Sequence, residues 1–191
     1  MRKMVLIAAA LAACSFAMPA AAQSVTGTVV INGNVPGKCQ VVSGAGVSQT
    51  FGTTVDLGDL SDTDGTLKSG LVVNSANFAD LEARVVCTTA FADVTLTATP
   101  LAIANAPASE PGYANSISYT AYADLTTTTG SSTLSLSTNV GSPTGTTIGR
   151  LANNGGNNIV IYADTFETAP DAILEQGAYS GQITLLIAPA A

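Results

Sequence analysis

Apolar and polar residues alternate from Ser24 to Val35. Val25, Gly27, Val29, Ile31, Gly33 and Val35 fall on one side of an extended chain, and Ser24, Thr26, Thr28, Asn32 and Asn34 on the other. Successive side chains of a strand point to opposite faces, so this segment predicts a strand whose apolar face needs a partner. The same period recurs at Val94, Leu96 and Ala98, opposite Thr95, Thr97 and Thr99, and at Ile117, Tyr119, Ala121 and Ala123. Leu81 to Thr88 and Val94 to Pro100 read as the best internal strand pair. Lys38 to Val42, Leu67 to Val73 and Ile159 to Ala163 are predicted as further strands. The chain closes on Ile183, Leu185 and Ile187, which share a face and have no later strand to cover their edge.

Turn chemistry separates these runs. Pro36-Gly37, Ser61 to Gly65 and Asn153 to Asn158 are turn signals, and Pro107 and Pro111 withhold backbone donors, which makes Ile103 to Gly112 a loop. Val47 to Leu60, with Phe51, Val55 and Leu57 at mixed spacing, reads as strand and loop. Thr126 to Thr147 is nearly all Thr, Ser and Gly; Leu134 and Leu136 hint at a strand within an exposed hairpin or loop. Short strands rich in β-branched residues, separated by turns, predict an all-β sandwich.

The first 22 residues read as an export signal. Arg2 and Lys3 form a positive start, Val5 to Ala13 is apolar, and Ala20-Ala21-Ala22 offers a cleavage site before Gln23. Leu11-Ala12-Ala13-Cys14 also has the look of a lipoprotein acylation site, a competing reading weighed against the Ala-x-Ala site downstream. No other stretch has the ~18 apolar residues needed to span a bilayer. About 169 residues then remain, enough for one domain of ordinary size.

Either way of processing the leader leaves Cys39 and Cys87, an even pair in an exported chain, which predicts one structural disulfide. Four basic residues then face 13 acidic ones, a net charge of −9. Such a surface repels phosphate backbones, so nucleic acid is not an expected partner. The chain holds no His, which excludes His-dependent triads and His-ligated metal sites. Asp59, Asp62 and Asp64 precede Gly65 without the downstream Glu of a calcium loop, and read as a solvated turn. Gly141 to Gly149 lacks the Lys of a phosphate loop. Tyr113, Tyr119, Tyr122 and Phe166 are scattered aromatics assigned to no site, and Tyr179 suits a corner-packing role. No catalytic residue, metal site or cofactor is expected, and the chain is read as a non-enzyme.

Several motifs recur in one order: V-T-G-x-V-x-I at Val25 to Ile31, Cys39, Phe51-Gly52-Thr53, V-V-C at Val85 to Cys87, the strand from Tyr119 to Asp124, and Gly177-Ala178-Tyr179 followed by I-T-L-L-I ending at Ile187. In these the chain resembles the major pilins of archaic chaperone-usher pili and the related spore coat protein U domains. The resemblance spans the whole mature chain. It implies an incomplete immunoglobulin-like β-sandwich, residues 37–191, completed by a donor strand, residues 23–36, of a neighbouring subunit. Val25, Gly27, Val29, Ile31, Gly33 and Val35 would be the donated face, and Ile183, Leu185 and Ile187 one wall of the acceptor groove. A periplasmic chaperone and an outer-membrane usher are the implied partners. The implied product is a self-polymer at the cell surface that serves adhesion and biofilm formation. Gly33 departs from a strong donor, since it carries no side chain to fill a pocket.

A second class of function fits the same residues. A self-complete secreted or lipid-anchored β-sandwich, acting as a coat or ligand-binding protein, would pair Ser24 to Val35 within its own chain.

Overall fold

The computed structural model describes residues 26–43, 46–78 and 80–190. The leader at residues 1–22, Cys14 and Val25 lie outside the described residues. The chain divides into two units between Asn34 and Val35. In the first, Thr26–Asn34 has the alternation of a strand but takes up no regular secondary structure, and Val29 and Ile31 are 86% and 90% exposed.

The second unit is all-β, with twelve strands and no helix among the described residues. They are β1 (Cys39–Ser43), β2 (Gly46–Ser48), β3 (Glu82–Ala83), β4 (Val85–Cys87), β5 (Phe91–Ile103), β6 (Tyr113–Ala114), β7 (Ser116–Thr127), β8 (Gly130–Ser137), β9 (Thr144–Gly149), β10 (Ile159–Glu167), β11 (Ile173–Leu174) and β12 (Tyr179–Pro189). Pairing is antiparallel except for the two-residue ladder of β6 with β11. One layer holds β12, β5 and β9; the other holds β8, β7, β10 and β3. They join where Leu101 and Ala102 of β5 pair with Ile117 and Ser116 of β7.

Alternation explains how the layers meet. Val94 and Leu96 of β5 are buried, as are Ala121, Ala123 and Leu125 of β7 and Ile159 of β10, and all six belong to one core. Along β5 and β7 the intervening residues, such as Thr95, Thr97, Thr120, Tyr122 and Asp124, are polar and less buried. The arrangement is consistent with a β-sandwich, in which inner faces bury apolar residues and outer faces stay polar.

β1 lies between β2 and β4 in a small sheet, with Cys39 directly opposite Cys87. Their Cα atoms are 4.1 Å apart and the two sulfurs are bonded, so the disulfide expected from the sequence is present. Asn158 is the main buried polar anchor. Its side-chain oxygen accepts from the Val85 N–H (2.8 Å), and its amide donates to the carbonyls of Val85 and Ala152 (both 2.7 Å). This satisfies main-chain groups where the chain passes between layers.

Two local expectations are corrected and a third is refined. Leu81 to Thr88 and Val94 to Pro100 do not pair with each other: β3 joins β10, β4 joins β1, and bends at Thr88 to Ala90 carry the chain into the other layer. Leu67 to Val73 is not a strand; its ends make single bridges, Leu67 to Ser61 and Val73 to Ala163. In the Thr/Ser-rich stretch the strand hinted at by Leu134 and Leu136 is present as β8, in a hairpin with β7, and what differs from a loop is the second strand, β9, which buries Ile148.

Candidate functional site

Among the described residues of the second unit, β12 pairs on one side only, with β5. Its register is continuous from Gln182↔Thr99 to Pro189↔Ala92, which places Ile183, Leu185 and Ile187 opposite Ala98, Leu96 and Val94. All three are half-buried and pack on the core, while Leu186 on the opposite face is 62% exposed. Half burial on an inward face means that part of the wall is uncovered.

The uncovered part opens on a groove of about 710 Å³. Five consecutive residues of β12, Gly181 to Leu185, border it. Because consecutive strand residues point to opposite faces, a lining that includes all of them is made by the strand's main-chain edge. The floor is apolar: Leu101 of β5, Ile161 and Ala163 of β10, and Leu81. The facing wall is the segment Phe51 to Leu57, which has no regular structure and packs Phe51, Val55 and Leu57 against the core.

Tyr119 closes one part of the floor. Its ring stacks on Phe166 at 5.3 Å between centroids, and its hydroxyl donates to the Thr99 carbonyl (2.8 Å) and lies 3.3 Å from that of Gln182. Burial pushes the phenol up from 10.0 to about 12, which keeps it a neutral donor. The two carbonyls belong to facing strands, so the hydroxyl ties β12 to β5 beside a bulge. There Pro100 and Leu101 together oppose Gly181, and the Gln182 N–H donates to the Thr99 hydroxyl (3.0 Å). A proline without an N–H is tolerated at such a bulge, and the missing ladder bond is replaced by a side chain.

Compared with protein-family models, curated proteins and solved structures, the chain finds no match.

Ile183 and Leu185 therefore line the groove directly, and Ile187 continues the same face towards the strand's end. Gly27, Val29, Ile31 and Gly33 lie in the first unit, where a Cβ placed on either glycine would meet nothing within 4 Å. Val35, at the start of the second unit, is exposed, and the chain is next held at Pro36, whose carbonyl accepts from the Thr88 hydroxyl (2.9 Å). Tyr119, Phe166 and Gly181 were not singled out as site residues in the sequence. The nearest sequence signal was the Phe51-Gly52-Thr53 motif, whose three residues all line the groove.

Elsewhere the polar clusters satisfy themselves. Asp59 accepts from Ser61 and lies 3.7 Å from the Lys68 ammonium, and Asp64 accepts from the Thr66 N–H and hydroxyl. Those bonds hold both carboxyls below the usual carboxylate range. The Tyr179 hydroxyl donates to the Ala114 carbonyl (2.7 Å) and lies 3.0 Å from that of Glu175, fixing the turn into β12. Among the described residues no helix is long and apolar enough to cross a membrane. An open strand edge beside a groove of this kind has the geometry to take an extended chain.

Proposed function

We propose that this chain is a structural subunit of a surface fibre and polymerises by donor-strand exchange. The observation that carries the reading is the edge of β12, unpaired among the described residues, bordering a groove of about 710 Å³ whose floor is aliphatic. An open strand edge beside an uncovered core is a template for strand addition, which supplies a ladder and pocket-filling side chains together. Thr26–Asn34 has the alternating face and the exposure that such an occupant needs.

In this reading the sandwich is immunoglobulin-like and lacks one strand. Val25, Val29, Ile31 and Val35 of one copy enter the groove of the next, with Gly27 and Gly33 on the same face, against Ile183, Leu185 and Ile187. Four buried aliphatic side chains contribute on the order of 6–12 kcal/mol before ordering costs. That is comparable to the stability of a whole domain, enough for a durable fibre. The resemblance to archaic chaperone-usher pilins adds the route: a periplasmic chaperone holds the groove first, an outer-membrane usher catalyses the exchange, and the fibre serves attachment and biofilm formation.

Deleting residues 24–35 tests the reading. The expected result is a folded β-protein, with the Cys39–Cys87 disulfide intact, that forms no fibres by electron microscopy. Normal fibres from the deleted chain would refute it.

A further inference from the structure

Asn32 and Gly33 are adjacent, both exposed, and lie in a segment without regular secondary structure. A Cβ on Gly33 would meet nothing within 4 Å, and the same is true at Gly155, so the two Asn-Gly pairs differ in backbone setting and not in packing. The Asn154-Gly155 pair has the same sequence but a different setting. Gly155 is fixed at φ 93° in a turn, and the Asn154 side-chain oxygen accepts from the Gly156 N–H at 3.4 Å. The Asn154 side chain is thereby engaged with the following backbone, whereas Asn32 makes no such bond among the described residues.

We infer that Asn32-Gly33 is a spontaneous deamidation site, and that the reaction limits the time during which a free subunit can donate its strand. The second half of the inference rests on the strand-exchange reading; the first does not. In the reaction the Gly33 backbone nitrogen attacks the Asn32 side-chain carbonyl carbon. A new C–N bond closes a five-membered imide, and the bond to Nδ2 breaks. The proton from the Gly33 amide leaves with that nitrogen as ammonia. Water then cleaves one of the two imide C–N bonds. Cleavage at the side-chain carbonyl gives aspartate; cleavage at the main-chain carbonyl gives isoaspartate, whose backbone runs through the side-chain carbon. Gly is the residue that best permits the attack, because it has no Cβ to obstruct it.

Both products damage a donor strand. Each adds a negative charge to a chain that is already acidic. Isoaspartate also lengthens the backbone between Ile31 and Val35, and strand register tolerates no such change because neighbouring positions face opposite ways. Val29 and Ile31 could then enter the groove only if Val35 did not. A strand already seated in a neighbour is held in a ladder, which blocks the cyclisation. Free subunits therefore age while fibres do not.

The test incubates the purified mature chain at mildly alkaline pH and follows each Asn-Gly peptide by mass spectrometry. Conversion of amide to acid at Asn32 is expected to run roughly tenfold faster than at Asn154, a barrier difference of about 1.4 kcal/mol. Equal rates at the two positions overturn the site. Aged wild-type subunits should lose fibre extension relative to fresh ones, while aged N32S subunits should match fresh N32S. Undiminished extension by aged wild type overturns the time limit. The mass measurement needs no fibre, so a chain that never polymerises sinks the strand-exchange reading and the time limit, leaving the site to be decided by the masses.

Discussion

Pro100 and Gly181 oppose each other at the bulge between β5 and β12, where a Cβ on Gly181 would lie 2.9 Å from the Pro100 carbonyl oxygen. The Thr99 carbonyl would be equally close. Both obstacles are backbone, which cannot rotate away. Gly181→Ala should therefore destabilise the fold by about 1–3 kcal/mol, as other overpacked sites do, read as a lower denaturant midpoint. Because Gly181 also borders the groove, the same variant should form weaker fibres than its loss of monomer stability alone would give.

Asn158 supports the opposite side of the core. Replacing it with Ala orphans the Val85 N–H and the Val85 and Ala152 carbonyls, all satisfied by its side chain. Each unsatisfied buried group costs about 1–3 kcal/mol, so the loss should exceed about 3 kcal/mol in chemical unfolding.

Reduction of Cys39–Cys87 releases a constraint on a separation of 48 residues. The chain-entropy account gives a loss of about 3–4 kcal/mol, measured as the midpoint shift between oxidised and reduced protein. The cross-strand pairing of β1 with β4 should persist in the reduced state at low denaturant, since its ladder does not depend on the bridge.

Tyr119 gives the fold an alkaline limit. Burial raises its phenol from 10.0 to about 12, so the folded chain keeps a proton that the unfolded chain releases above pH 10. That contribution is fully present below pH 10 and is lost as pH rises through about 12. Stability of Tyr119→Phe should be lower than wild type at neutral pH, through loss of the bonds to Thr99 and Gln182, and flatter between pH 10 and 12.

The strands were legible in the sequence where alternation was long. Val94 to Ala98 and Ile117 to Ala123 needed nothing more, since one face is aliphatic and the other hydroxyl. β8 was only hinted at by Leu134 and Leu136, and β9 was obscured because Ile148 alone stands out from a Thr/Ser background. Partner choice was less legible still. The local pattern of Leu81 to Thr88 says that it is extended but not which layer it joins, and the bend after Cys87 decides that. In the groove, the aliphatic wall at Ile183 and Leu185 was readable from period two. Tyr119, Phe166 and Gly181 come together only through contacts between strands distant in sequence.

If one copy's N-terminal segment enters the groove beside another copy's β12, two variants with complementary defects must restore a single junction. One variant carries I31D in the donor and an intact groove; the other carries L185D in the groove and an intact donor, each shown to be folded by circular dichroism. Alone, each should stay monomeric in size-exclusion chromatography. Mixed, they should form a dimer with one strand exchanged and grow no further. A mixture that remains monomeric, or either variant forming fibres alone, would contradict the account.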